Sequence, residues 1–198
     1  MIRFHQPAGR ACARLLLLVC LVLAACSKPQ FNNIDISGAD YGRDFALTDV
    51  TGAHRTLGDY HGRAVVLFFG YTHCPDVCPT TLAGLAQALH QLGGDASRVQ
   101  VLFVTLDPER DTPPLLERYV RAFDPSFVAL SGTQQQVEAA ARQFKVFFQK
   151  VAGPTPDSYT LDHSSSTFVF DPQGHVRLLL RREAGPDQIA SDLKRLLG

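Results

Sequence analysis

Phe68-Phe69-Gly70-Tyr71-Thr72-His73-Cys74-Pro75-Asp76-Val77-Cys78-Pro79 is the stretch on which the reading of this chain turns. It continues an unbroken apolar run, Ala64-Val65-Val66-Leu67-Phe68-Phe69, the pattern of a strand buried on both faces. Pro79 suits the first position of a helix, where a missing N–H and a fixed φ cost nothing. Leu82, Leu85, Ala86, Leu89 and Leu92 give that helix an apolar stripe, and Gly93-Gly94 stops it. Both prolines push the residue before them out of the right-handed helical region, so Cys74 and Cys78 are presented on an ordered turn. Cys78 falls at or beside the helix N-cap. The partial positive charge there favours thiolate, so its thiol is expected to ionise more readily than a free cysteine.

Working outward, residues 99–106 read as a second buried strand. Asp107-Pro108-Glu109-Arg110-Asp111-Thr112-Pro113 is the loop beyond it, leading into a helix over residues 115–123. A further helix is expected over 133–144, with Val137, Ala140, Ala141 and Phe144 inward. Gly153-Pro154-Thr155-Pro156-Asp157 reads as an exposed loop ending near Asp162-His163. Thr167-Phe168-Val169-Phe170 and residues 175–180 bracket Asp171-Pro172-Gln173-Gly174 as a hairpin, and Gly185-Pro186 opens a last helix. Toward the N-terminus, Phe45-Ala46-Leu47 and His54-Arg55-Thr56-Leu57 flank a turn at Asp49-Val50-Thr51-Gly52, a second hairpin. The expected order is β-β-β-α-β-α-α-β-β-α. That alternation predicts an α/β sandwich with a mixed central sheet, helices on both faces and an N-terminal β-hairpin.

The first residues do not read as fold. Arg3, Arg10 and Arg14 precede an apolar run over residues 15–25, short for a membrane span of ~20 residues but suited to a secretory signal. Leu23-Ala24-Ala25-Cys26 resembles the bacterial lipobox, in which cleavage precedes a cysteine that then carries lipid. The expected organisation is a lipoprotein signal peptide at 1–25, a lipidated flexible tether at 26–43 and a folded domain at 44–198. Residues 27–43 are polar and lack periodicity; as a coil they would reach about 23 Å.

Composition narrows the function classes. Formal net charge is zero and there is no Trp, so neither a basic field nor an aromatic platform argues for nucleic acid. Of five cysteines, Cys12 and Cys20 would leave with the signal and Cys26 would be lipidated. Cys74 and Cys78 remain, too few for a framework of structural disulfides. One close pair in an exported protein is a redox-active dithiol, a metal site, or both. Thiolates select soft ions: iron–sulfur clusters ask for four cysteines and structural zinc for four Cys/His ligands, so two thiolates plus an imidazole suit copper better.

Seven histidines are available for the third position. His5 lies in the signal. His54, His61, His90 and His175 read as turn or surface residues, and His73 alternates away from Cys74 with a role in tuning the thiolates left open. His163 follows the Pro/Gly loop and precedes a strand, where functional loops of an α/β sheet converge. Spacing alone, 85 residues from Cys78, does not separate a ligand from an ordinary loop histidine.

Tyr71-Thr72-His73-Cys74-Pro75-Asp76-Val77-Cys78-Pro79 resembles the signature of the Sco/SenC family, copper proteins of cytochrome c oxidase assembly. Asp107-Pro108-Glu109-Arg110-Asp111-Thr112 and Asp162-His163 match further motifs of that family in the same order, and the resemblance covers roughly residues 41–197. It implies a thioredoxin-like fold with copper held by Cys74, Cys78 and His163, and Asp107 and Asp162 nearby in supporting roles. It also implies a metallochaperone in the periplasm whose partners are oxidase subunit II and, through Cys26, the membrane. A thiol–disulfide oxidoreductase acting on the cysteines of the same target is the alternative, although Cys74 and Cys78 are spaced one residue wider than in thioredoxins. Ser164-Ser165-Ser166 is more polar than the usual continuation after the family histidine. A peroxidase reading of Val77-Cys78-Pro79-Thr80 is set aside, because Pro75 stands where such enzymes carry threonine.

Overall fold

In the computed structural model, residues 30–155 and 158–198 are described, and Phe31–Gly198 form one unit. The expected signal peptide and Cys26 lie outside the described residues. Along the described chain run β1 (Ile34–Asp35), β2 (Leu47–Asp49), β3 (His54–Arg55), β4 (Ala64–Gly70), α1 (Val77–Leu92), β5 (Val99–Thr105), α2 (Pro113–Arg121), β6 (Val128–Ser131), α3 (Gln134–Gln143), β7 (Phe148–Ala152), β8 (Tyr159–His163), β9 (Thr167–Phe170), β10 (Val176–Leu179) and α4 (Pro186–Leu197).

The two apolar runs form the centre. β4 and β5 pair in parallel from Ala64 opposite Val99 to Gly70 opposite Thr105, and every residue of both is buried. The full sheet has the order β1-β10-β9-β4-β5-β6-β2-β3, with β4, β5 and β6 parallel and the rest antiparallel. Period-two alternation divides the core. Val66, Phe68, Val101 and Phe103 meet Leu82, Leu85 and Leu89 of α1, Leu116 and Val120 of α2, and Ile189 and Leu193 of α4. Val65, Leu67, Phe69, Leu102 and Val104 face the other way, against Val137, Ala140, Ala141 and Phe144 on and just beyond α3. Fully burying each such Phe or Leu contributes about 1.5–3 kcal/mol, so this two-sided packing is the main source of stability. The predicted mixed sheet, helices on both faces and N-terminal β2–β3 hairpin are all present.

Three features differ from expectation. Part of the expected tether is folded: β1 pairs with β10, and Asn33 is buried. The carboxylate of Asp192 on α4 accepts four bonds there, from Asn32 N (2.9 Å), Asn32 Nδ2 (2.9 Å), Asn33 N (2.9 Å) and Asn33 Nδ2 (2.8 Å). A polar segment without periodicity is thus ordered by a buried acceptor and by pairing with β10. Val128–Ser131 is a sheet strand, too short to carry a pattern of its own. Residues around the expected 153–157 loop form an antiparallel hairpin, β7 with β8, as a two-stranded sheet separate from the main one.

Candidate metal centre

β4 ends at Gly70, and the chain turns through Tyr71–Cys74, closed by the Cys74 N–H donating to the Tyr71 carbonyl (3.3 Å). α1 begins at Val77, so Cys78 lies one residue into the helix, fully buried, while Cys74 is half-buried. Both are free thiols. Burial has the opposite effect to the one expected from the helix terminus: desolvation pushes the Cys78 thiol pKa up, outweighing the N–H of Tyr71 that favours thiolate. The helix end supplies a partial charge, but complete removal of water costs the anion more.

β8 brings in the histidine. Tyr159, Leu161 and His163 alternate with the exposed Thr160 and Asp162, so the first three share the face turned to the body of the protein. Leu161 is buried, and its N–H donates to the Tyr71 hydroxyl (3.3 Å). The His163 ring stands edge-on to Tyr71, with centroids 5.8 Å apart at 84°. Its Nδ1 lies 3.0 Å from the Ser164 carbonyl, which can only accept, so the proton belongs on Nδ1 and Nε2 presents a lone pair. That Nε2 is 3.8 Å from Cys78 Sγ. Burial lowers the His163 pKa and so favours the neutral ring with its free lone pair, opposed in part by the Ser164 carbonyl and the Asp162 charge.

The ligand atoms of Cys74, Cys78 and His163 all lie within 4.8 Å of one another, the one such group of His, Cys, Asp or Glu among the described residues. Two sulfurs and one imidazole nitrogen at that separation can close on a soft ion; the donor set excludes the oxygen-loving cations. The polar Ser164-Ser165-Ser166 continuation has a local use, since Ser164 fixes the tautomer through its carbonyl and takes the Phe147 N–H on its hydroxyl (3.2 Å).

The supporting acids divide. Asp162 is exposed on the outer face of β8 and reaches His163 only through its field. Asp107 is buried but touches none of the three ligands: it accepts from Arg110 Nε (2.5 Å) and the Tyr159 hydroxyl (2.7 Å). His73 is exposed, with Nδ1 3.1 Å from Thr72 Oγ1, outside the ligand group. Sequence reasoning missed Asp111. Its buried carboxylate accepts from Thr72 N (3.0 Å), Thr72 Oγ1 (2.5 Å) and Thr105 Oγ1 (2.6 Å), tying the cysteine loop to the end of β5. It also gave no role to Tyr71 and Arg110, which stand inside the quoted motifs, or to Tyr159, whose partners Arg110 and Asp107 lie 49 and 52 residues away.

With this geometry in hand, the comparisons are specific. The family description SCO1/SenC matches residues 35–198. A SCO2-like protein of Rickettsia felis is 34% identical over 181 residues, covering 90% of this chain and 88% of that protein. The mitochondrial SCO2 homolog of Bos taurus is 37% identical over 77% of this chain, which spans 58% of that protein's length. Among solved structures, apo Sco1 of Thermus thermophilus superposes with a TM-score of 0.76 at 40% identity, covering 86% of this chain and 99% of that one. ScoI of Bradyrhizobium japonicum, solved with copper bound, gives 0.73 at 37%, covering 80% and 99%. The fold is thioredoxin-like, as expected, and a match spanning the sheet, all four helices and both arms of the metal centre means that this chain belongs to the SCO1/SenC family.

Proposed function

We propose that this protein is a copper metallochaperone that binds one copper ion through Cys74, Cys78 and His163 and helps load the dinuclear copper centre of cytochrome c oxidase subunit II. The observation that carries the reading is the convergence of two thiols and a correctly tautomerised imidazole within 4.8 Å. The copper-bound state of the 37% identical ScoI adds to it, as does the association of the Sco family with oxidase assembly. Copper is cargo in this reading, so a site with two half-buried ligands, Cys74 and His163, suits an ion that has to be handed on. Among the described residues no helix is long and apolar enough to cross a membrane. In our reading residues 1–25 are removed, Cys26 carries lipid, and the domain works at the periplasmic face of the membrane. Titration of the reduced full chain with copper, followed by the thiolate-to-copper absorption, tests the centre: one equivalent bound before oxidation and none after it is expected. Undiminished uptake by the Cys74–Cys78 disulfide form would overturn it, since a disulfide sulfur is not a thiolate ligand. Mass spectrometry of the mature protein in the membrane fraction tests the anchor, and a mature chain starting elsewhere than Cys26 refutes it.

The thiol–disulfide oxidoreductase reading keeps one specific support, the pairing of an accessible Cys74 with a buried Cys78, as an attacking and a resolving thiol would be arranged.

A further inference from the structure

Two of the three ligand residues stand beside the main sheet, at the β4–α1 junction, but His163 is carried by a different sheet. It stands at the last position of β8, in a two-stranded sheet that shares no strand pairing with the main sheet. Four of the five residues of β7 are exposed, so the hairpin has little core of its own to set its position. Leu161 seats β8 in the core, with Tyr159 and Phe148 beside it, and polar contacts complete the placement of the imidazole relative to the thiols.

The contacts that do this converge on Arg110, in the loop after β5. Its Nε donates to Asp107 Oδ2 and its Nη1 to the Tyr159 carbonyl at the start of β8 (2.9 Å). Its guanidinium carbon lies over the Tyr159 ring, 3.5 Å from the centroid, a close cation–π contact, and 6.0 Å from that of Tyr71, the ring that abuts His163. The Tyr159 hydroxyl closes the circuit by donating to Asp107 Oδ1 (2.7 Å). Asp107 is 2% exposed and only a fifth of the Arg110 side chain meets water, so these are largely desolvated, charge-assisted bonds, stronger than surface pairs. Lys150 on β7 adds an outer contact to Glu109 (2.6 Å), exposed and correspondingly weak.

Tyr159 and His163 share one face of one strand, four residues apart. Fixing the first therefore fixes the second, with Leu161 between them seated on Tyr71. We infer that Arg110, Tyr159 and Asp107 form a latch that positions His163 for metal binding, acting on the imidazole arm and not on the thiols. All three are positioning residues, since none touches the sulfurs or the imidazole. This rests on the copper-site reading above.

The test uses the full chain, copper alone as probe, and two variants. Tyr159→Phe keeps the ring beneath the guanidinium and removes the hydroxyl bond to Asp107. Arg110→Lys keeps the charge and removes the guanidinium over the ring and the double donation. Affinity is read by competition, and imidazole ligation by nitrogen splitting in the electron paramagnetic resonance of the copper(II) form, with His163→Ala marking complete loss. Outer partners of metal ligands commonly matter by about 10–100-fold, so each variant is expected to bind copper about 10-fold more weakly with reduced nitrogen splitting. The Cys74–Cys78 midpoint potential should stay unchanged. Both variants retaining parent affinity and splitting, while His163→Ala loses them, would overturn the latch alone. A parent protein without thiol-dependent copper binding would instead bring down the site reading. Loss of splitting together with an equal change in thiol potential would show a general loosening of the fold and also overturn the latch.

Discussion

A methyl group added at Gly70 would stand 2.7 Å from Cys78 Sγ and 2.9 Å from Phe103 Cε2, so the missing side chain of Gly70 is the space in which the buried thiol sits. A sulfur and an aromatic ring leave no room for a Cβ at the end of β4, and the Phe103 ring is fully buried in the β5 core. Gly70→Ala is therefore expected to move the sulfur, cost about 1–3 kcal/mol through overpacking, and lower copper affinity at least 10-fold. Urea unfolding and copper competition measure the two effects. Parent affinity in the Gly70→Ala variant would mean that the centre tolerates a displaced Cys78.

His163→Ala separates the two readings of the site. It removes the nitrogen donor and leaves both thiols and the strand-to-helix junction intact, so thiol–disulfide exchange should persist while copper affinity falls by at least 10–100-fold, roughly the cost seen for outer-shell changes alone. Cells carrying the variant at native level should lack assembled oxidase if metal delivery is the function. Normal oxidase activity would favour the reductase reading.

Thiol reactivity should be ordered. Cys78 is fully buried and its pKa is raised, so at pH 8 it is a neutral thiol behind protein, whereas Cys74 reaches solvent. Alkylation of the reduced native protein should label Cys74 first, with Cys78 reacting only in denaturant or at strongly alkaline pH. Copper has to displace the Cys78 proton, so apparent affinity should rise with pH. Peptide mapping after brief labelling decides the first point; equal labelling at pH 8 would contradict the burial argument.

Acid sensitivity has an identifiable source far from the centre. At Asp49, burial opposes ionisation, but bonds from the Thr51 hydroxyl, Arg55, and the N–H groups of Thr51 and Ala53 outweigh it and hold the carboxyl at about 2. A folded pKa below the unfolded value of about 3.9 contributes stability above that value, lost as pH falls toward 2. Asp49→Asn should thus destabilise the protein at pH 7 and progressively less from pH 4 to pH 2. A pH-independent difference in urea midpoint would contradict this.

The N-terminal clasp should matter more than a tether would. Asp192→Ala leaves the backbone and side-chain N–H groups of the buried Asn33 without their acceptor, and about 3 kcal/mol of stability is expected to go with it. Deleting residues 30–35 should produce a loss in the same range. Full stability of the deleted chain would return this segment to the status of linker.

What the sequence alone determined was whatever carries its own periodicity or its own short-range geometry. A continuous apolar run made β4 legible and a largely apolar one β5, stripes made α1 and α3 legible, and a proline-bounded turn put Cys74 and Cys78 at a strand-to-helix junction. Elements without a pattern were decided by their neighbours: β1 by Asp192 and β10, β6 by the edge that β5 offers, and β7, mostly exposed, by pairing with β8. The centre divides along the same line. Two thiols four positions apart are a local fact, but His163 joins them only because β8 is held against Tyr71 and Arg110, 85 residues from Cys78. The ionisation of Cys78 also belongs to the tertiary structure. A sequence reveals a helix terminus, but only packing against Gly70 and Phe103 reveals that no water reaches the sulfur, and desolvation is the larger effect.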